Sequence, residues 1–269
     1  MILAITNQKG GVGKTTTVLN LGVFLAQKGK KVLLVDIDPQ SNLTSGIGVS
    51  LEENNKSIYD FLVNNEDLKK IIKPTRIDNL HVAPSSIELA GAEVELVSTL
   101  SRENILKKGL EKVHSDYDYV LIDCPPSLGL LTINGLVAAH QVLIPVQSEY
   151  FALEGLGQLI NTIKLVKESL NPAMDIGGVI LTMYDNRTNL SRDVATEMTN
   201  SEYLKDKIFQ TIIPRNIRLS EAPSRGLSVQ EYAPFSAGAF AYEQLAEEII
   251  NRFERGIKKM MMRPNLAKP

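Results

Sequence analysis

Apolar and polar positions along the chain switch between a strand period and a helix period. Ile2 to Thr6 is a short apolar run that reads as a strand. A glycine-rich stretch, Gln8 to Gly13, follows it. From Thr15 to Lys28 the apolar residues Val18, Leu21 and Leu25 recur at helical spacing, and Gly29 stands where a helix stops. Lys31 to Val35 is a continuous apolar strand run closed by Asp36. Strand, helix and strand in such a short span make a βαβ unit, which implies a parallel sheet.

Further along, Tyr119–Ile122 reads as a buried strand ending at Asp123. Leu80–Ala83, Gln141–Val146, Ile176–Thr182 and Phe209–Ile213 read as further strands. Helical patterns cover Ser57–Asn64, Glu66–Ile72, Ala90–Leu110, Gly155–Leu170, Leu190–Lys205 and Ala239–Phe253. There is no internal repeat and no low-complexity linker. The pattern predicts an α/β fold, a doubly wound, mostly parallel sheet with helices on both faces. Residues 1–254 should form one domain, and residues 255–269 a basic, flexible tail.

Length and composition fit that reading. The chain has 269 residues, 43% of them apolar, enough for one large core. The formal net charge is −2, so there is no global basic field. Nucleic-acid binding must come from a local patch, or from an assembly that doubles one. A single cysteine, Cys124, excludes an internal disulfide and fits a reducing cytoplasm; it is best read as a small packed residue. The N-terminus lacks the basic start of a signal peptide, and no apolar run approaches the roughly 20 residues that span a bilayer.

The glycine-rich stretch carries the strongest chemistry. Residues 9–16 read Lys-Gly-Gly-Val-Gly-Lys-Thr-Thr. The ordinary phosphate-loop pattern wants glycine five residues before Gly13, where Gln8 stands, yet the chemistry survives. Gly10, Gly11 and Gly13 permit a tight turn with inward N–H groups, and the helix start adds its positive dipole end. Lys14 can reach the β- and γ-phosphates of a nucleotide, and the Thr15 hydroxyl can bind Mg²⁺.

Two strand ends carry aspartates: Asp36-Ile37-Asp38-Pro39-Gln40, and Asp123-Cys124-Pro125-Pro126. Ligands of open α/β sheets sit at these carboxyl ends. Beside a triphosphate a carboxylate is unfavourable unless it serves metal or water. Asp123 should hold Mg²⁺ through water. Asp36 and Asp38 alternate, so one can face the metal shell and the other the γ-phosphate.

The loop Lys9-Gly10-Gly11-Val12-Gly13-Lys14-Thr15 resembles the deviant Walker A ATPases, among them ParA, Soj, MinD and the nitrogenase iron protein. The resemblance implies ATP and Mg²⁺ as ligands. Lys9 would be the signature lysine that reaches the partner's nucleotide across a dimer interface. Asp38 would position the attacking water, Asp36 would belong to the metal site, and the segment after Asp123 would be a second switch. One cysteine cannot furnish a metal-cluster reductase.

Residues 147–155, 182–190 and 213–224 look like Soj-type ParA sequence, and the likeness runs from about residue 1 to 252. By family position Pro214 and Asn216 should lie against adenine, with Thr16 completing the nucleotide loop. Arg187 matches a DNA-contacting arginine. Arg215, Arg218 and Arg225 lie near one another in sequence, with Glu221 opposing them. On a dimer these arginines could form the patch that the net charge denies one chain.

The likeness also implies an ATP-sandwich homodimer, sequence-independent DNA binding on the nucleoid, and slow hydrolysis stimulated by a ParB/Spo0J-like partner. With no extra N-terminal region for a helix-turn-helix, it implies the short form. No stable membrane association is expected. The alternative, a MinD-like membrane-positioning ATPase, rests on Phe253, Ile257, Met260 and Met261 at helical spacing, set among Arg252, Arg255, Lys258 and Lys259 and ending at Pro264.

Overall fold

The computed structural model describes residues 1–51, 55–149, 152–200 and 204–261. Among them seven strands form one sheet: β1 (Ile2–Ile5), β2 (Val32–Asp36), β3 (Lys73–Pro74), β4 (Leu80–Ala83), β5 (Tyr119–Asp123), β6 (Gln141–Gln147) and β7 (Asp175–Thr182). Their order is β3-β4-β2-β5-β1-β6-β7. Every pair is parallel except β3 with β4. The mostly parallel, doubly wound α/β sheet is therefore as the pattern implied.

Within the described residues, twelve α-helices connect and cover it. The first six are α1 (Lys14–Gln27), α2 (Asn42–Gly46), α3 (Ile58–Leu62), α4 (Leu68–Ile71), α5 (Leu89–Glu95) and α6 (Ile105–Glu111). The rest are α7 (Leu130–Ala138), α8 (Ala152–Ser169), α9 (Asn189–Asn200), α10 (Arg218–Ser224), α11 (Val229–Tyr232) and α12 (Ala237–Met261).

Strand alternation divides the core in two. Leu3, Ile5, Leu34 and Leu121 face α1, α11 and α12, while Ile2, Ala4, Leu33, Val35, Val120 and Ile122 face α5 to α8. Central strands buried on both faces read as continuous apolar runs, which is why they stand out in the sequence. Helix α1 is buried on nearly every side. Gly22 lets it press onto β2: a Cβ there would stand 2.6 Å from the Leu34 side chain.

Three expectations are corrected. Ala90–Leu110 is not one helix: α5 gives way to a 3-10 turn at Leu96–Ser98, and Ser101 takes a left-handed φ of 54° before α6. Phe209–Ile213 is not a strand of the sheet. Phe209 N–H donates to Val179 and Ile213 N–H to Leu181, but between them Gln210 and Thr211 N–H both donate to the Glu248 carboxylate on α12, 2.9 Å each. That side chain takes the donors a ladder would need. The last helix runs past Phe253 to Met261. Tyr150 and Phe151, residues 201–203 of the expected Leu190–Lys205 helix, and the tail beyond Met261 lie outside the described residues. Among those described, no helix is long and apolar enough to cross a membrane.

Candidate nucleotide site

The carboxyl ends of β1, β2, β5, β6 and β7 converge on the loop between β1 and α1. Gly11 (φ 73°) and Gly13 (φ 88°) occupy left-handed backbone that favours glycine. Gly13 caps α1 without any side-chain bond, so the first N–H groups of a 14-residue helix are left for a ligand. A Cβ on Gly10 or Gly11 would meet nothing within 4 Å; both glycines border open space. The loop is propped from beneath. Asn7 donates to the Pro145 carbonyl at 2.7 Å and accepts from Lys9 N–H at 3.0 Å, and the Thr182 hydroxyl donates to the Val12 carbonyl at 2.8 Å.

Two adjoining cavities open over this loop. One, of about 580 Å³, is walled by Gly10, Gly11, Gly13, Lys14, Thr15 and Asp38, with Thr16 beside them. The other, of about 380 Å³, is lined by Met183, Ile213, Pro214, Asn216 and Tyr242. They share Gly13, Thr16, Met183, Leu219 and Ser220. A polar, donor-rich half joined to an apolar half suits a nucleotide, phosphates in the first and base in the second. Pro214 and Asn216 both line the second cavity. The Asn216 side chain also accepts from Arg218 N–H at 2.9 Å and so anchors the start of α10.

The charged groups divide by role. Lys14 is buried and folds back so that Nζ donates to the Lys9 carbonyl at 3.1 Å, inside the loop. Burial lowers its pKa, while Asp123 and Asp38 raise it. Lys9 turns the other way and does not line the cleft. Its ammonium pairs with Glu149 at 2.6 Å, and Glu149 also accepts from Gln147 at 2.5 Å. Asp38 lines the cleft, accepting from Gln40 N–H at 2.9 Å.

Asp36 lies deeper. Thr44 donates to it twice, through N–H at 2.9 Å and hydroxyl at 2.7 Å, and Asp38 N–H once, at 3.2 Å. Burial lifts its pKa to about 6 despite those bonds. Asp123 is its cross-strand neighbour, fully buried, with no hydrogen-bond partner for either oxygen. Burial first, then the Asp36 charge, pushes its pKa well above the carboxylate range.

Two buried carboxylates side by side, one without a donor, fit a divalent cation. Among the described residues no cluster of three acidic, histidine or cysteine side chains could hold a metal by itself. A site that relies on one or two carboxylates, a threonine hydroxyl, water and phosphate oxygens is what Mg²⁺ accepts. Asp123 and Thr15 are the residues that would hold it, with Asp36 behind them. Cys124 is buried and burial raises its thiol pKa, so it packs and does not react.

The four arginines fall into two pairs. Arg187 is exposed and gripped by Asp185 at 2.9 and 2.7 Å; it lines a cavity with Arg215. That partner holds the Asp185 carboxyl down to about 2. Arg218 and Arg225 stand 6.0 and 5.6 Å from the Tyr232 ring centroid, and Arg218 also pairs with Glu221 at 2.8 Å. Asp185 and Tyr232 thus join Glu221 as partners of these arginines. Asn7, Thr44, Ser85, Glu149 and Thr182 also escaped sequence reasoning. A usable signal existed for all but Thr44: each of the others sits at or within two residues of the carboxyl end of β1, β4, β6 or β7.

Known proteins resemble this chain over most of its length. An AAA domain family model matches residues 1–176. The sporulation initiation inhibitor protein Soj of Bacillus subtilis is 58% identical over 248 residues, covering 92% of this chain and 97% of that protein. The chromosome-partitioning ATPase Soj of Treponema pallidum is 52% identical, covering 93% of this chain and 97% of its own. A solved structure called cobyrinic acid a,c-diamide synthase, from Mycobacterium smegmatis with bound ATP analog and magnesium, superposes with a TM-score of 0.83 at 38% identity, covering 95% of this chain and 96% of that one. On the loop, the paired strand-end aspartates and these likenesses, the chain belongs to the Soj/ParA family of chromosome-partitioning ATPases.

Proposed function

We propose that this chain is an ATP-driven switch that binds DNA as a dimer and lets go on hydrolysis. The observation that carries the reading is the division of labour between two lysines. Lys14 points into its own loop, and Lys9 points out of it onto Glu149. One lysine per loop suffices for the resident phosphates; the second is free to serve a neighbour's.

In this reading the uncapped start of α1 and Lys14 bind the β- and γ-phosphates. The cavity at Met183, Pro214 and Asn216 takes the base. Thr15 and Asp123 would hold Mg²⁺, which would supply neutralisation of the charge on the phosphate oxygens. Asp38 orients the attacking water, and phosphoryl transfer asks little beyond positioning and charge neutralisation. Lys9 leaves Glu149 for the γ-phosphate of the partner chain, so closure depends on triphosphate and ends with it.

A joined surface of Arg187, Arg215, Arg218 and Arg225 from two chains then holds DNA by its phosphates, without reading sequence. A ParB-type protein accelerates hydrolysis, and the chain cycles on and off the nucleoid. The names carried by the relatives favour partition over a MinD-like membrane role.

The test is Asp38→Ala. It should bind ATP, release no phosphate and accumulate as an ATP-dependent dimer in size-exclusion chromatography with light scattering. Normal phosphate release by this variant sinks the assignment of Asp38.

A further inference from the structure

One wall of the apolar cavity is built from irregular backbone. Segment 207–215 runs beside β7 but does not keep step with it. Phe209 N–H donates to the Val179 carbonyl and Ile213 N–H to the Leu181 carbonyl, so four steps along the segment match two along β7. The surplus is taken up by residues 210–212, where Ile212 is exposed. Past this bulge the segment rejoins. Tyr184 N–H donates to the Ile213 carbonyl at 3.1 Å, and Arg215 N–H to the Tyr184 carbonyl at 3.0 Å. Ile213, Pro214 and Asn216 then line the cavity. Met183, which also lines it, takes a left-handed φ of 50°, strained for a residue with a side chain. Backbone pairing alone does not fix where such a surplus sits. A slip by one residue would turn other side chains into the cavity.

Two side chains one turn apart on α12 fix the register. Glu248 accepts from Gln210 N–H and from Thr211 N–H, 2.9 Å each. Arg252 donates to the carbonyls of Gly177 at 3.1 Å and of Lys207 and Ile208 at 3.2 Å, and its guanidinium lies 3.9 Å from the Phe209 ring centroid. Arg252 also donates to Glu248 at 3.4 Å. One residue takes carbonyls before the bulge and the other takes N–H groups within it. Both sets of bonds are charge-assisted, and the two side chains are mostly shielded from water.

The helix that carries this clamp is tied to the phosphate side. Tyr242 of α12 lines the same cavity, and its hydroxyl stands 3.1 Å from that of Thr17, near the start of α1. Lys28, just past the end of α1, pairs with Glu247 at 2.7 Å. Helix α1 begins at the phosphate loop, so α12 sets where the cavity wall stands relative to the phosphates.

We propose that Glu248 is a positioning residue for the nucleobase. It lines neither half of the nucleotide cleft. By holding the bulge it fixes which atoms of Ile213, Pro214 and Asn216 face the base, while Arg252 holds the backbone before it. The proposal rests on the base lying in this cavity, as in the function proposed above. Base binding and clamp closure are then linked: whatever the clamp adds to base affinity, a bound base adds to the clamp.

The test compares Glu248→Gln with the wild type by equilibrium binding of Mg-ATP and of ribose 5-triphosphate, which keeps sugar and phosphates and lacks the base. Gln keeps the shape but offers one acceptor to two N–H groups, and its amide opposes the second. ATP affinity should fall about tenfold, the scale of one lost charge-assisted hydrogen bond, and ribose triphosphate affinity should hold within about twofold. Steady-state turnover should show a raised KM for ATP with kcat kept. Equal losses for both ligands, no loss for ATP, or a fall in kcat with KM unchanged overturns the proposal. A wild type that binds ribose triphosphate as tightly as ATP takes the base out of this cavity, and overturns the reading beneath the proposal as well. Hydrogen exchange of the wild type needs no variant, and so covers a Glu248→Gln chain that does not fold. Gln210 and Thr211 line a separate outer cavity, not the base cavity. Their amides should nevertheless exchange more slowly with Mg-ATP than with ribose triphosphate. The same rate with both ligands overturns the clamp.

Discussion

In the proposed cycle, Lys9 and Glu149 form the contact that would most directly set the state of the switch. Both side chains are partly exposed, 39% and 44%, so the pair adds little to stability. Its effect is on position: while Glu149 holds it, Lys9 is withheld from any other phosphate. Replacing Glu149 by Gln removes the opposing charge and keeps the shape. The variant should dimerise with ATP at lower protein concentration than the wild type, by a few-fold, since exposed ion pairs contribute at most about 1 kcal/mol. Sedimentation velocity across a concentration series measures this. An unchanged or weaker dimer means that Glu149 does not restrain Lys9. Asp123 shows the complementary condition, a buried carboxylate whose oxygens have no protein donor.

At the scale of elements, the sheet's amino-terminal edge contains a proton-sensitive joint. His140 Nδ1 accepts from Ile2 N–H at 2.8 Å, where β1 meets β6, so the ring must be neutral at that nitrogen. Burial, then the nearby N-terminal ammonium, lowers its pKa from 6.5. The unfolded chain therefore holds the proton more tightly. Stability from this contact is full above pH 6.5 and falls away as pH drops towards the lowered folded pKa. Thermal midpoints of the wild type should drop more between pH 7.5 and 5.5 than those of His140→Gln. Equal drops would remove His140 from the acid response.

The elements that were legible in the sequence share a physical trait: their signal is local. The phosphate loop has its glycines and lysines within eight residues, and β2 and β5 are buried on both faces, so their apolar runs are unbroken. What was not legible depends on distant partners. Nothing near Phe209–Ile213 betrays that Glu248 will take its N–H groups. Nothing near Asp36 says that Thr44 will claim its carboxylate while Asp123 keeps no donor. The Lys9–Glu149 pair, 140 residues apart in sequence, is a side-chain choice made by the folded chain. Ala90–Leu110 has helical composition throughout, and its break at Ser101 comes from packing against α7, where Asn134 accepts from Leu106 N–H and donates to the Arg102 carbonyl.

At the scale of the whole molecule, a chain of net charge −2 can offer a positive surface only as a local patch, which the proposed dimer would double. Arg187 starts with its charge offset by Asp185, so DNA phosphate has to compete with that carboxylate. Asp185→Ala should therefore tighten ATP-dependent DNA binding, and Arg187→Glu should weaken it, with ATP affinity unchanged in both. Fluorescence anisotropy across a salt series reads the effect. The slope of log K against log salt should shrink by about 0.9 for each phosphate that is no longer neutralised. Arg187→Glu binding DNA like the wild type would take this face out of the DNA surface.

The central claim is that each nucleotide is completed by a lysine from the other chain, and a mixing experiment tests it. Lys9→Ala and Asp38→Ala should each be inactive alone. Mixed with ATP, DNA and the ParB-type partner, they should form dimers in which one site joins an intact Asp38 to an intact Lys9 of the other chain. Phosphate release from the mixture should rise well above the sum of the two variants. A mixture no more active than that sum, from chains shown to co-dimerise, would contradict a lysine that works across the interface.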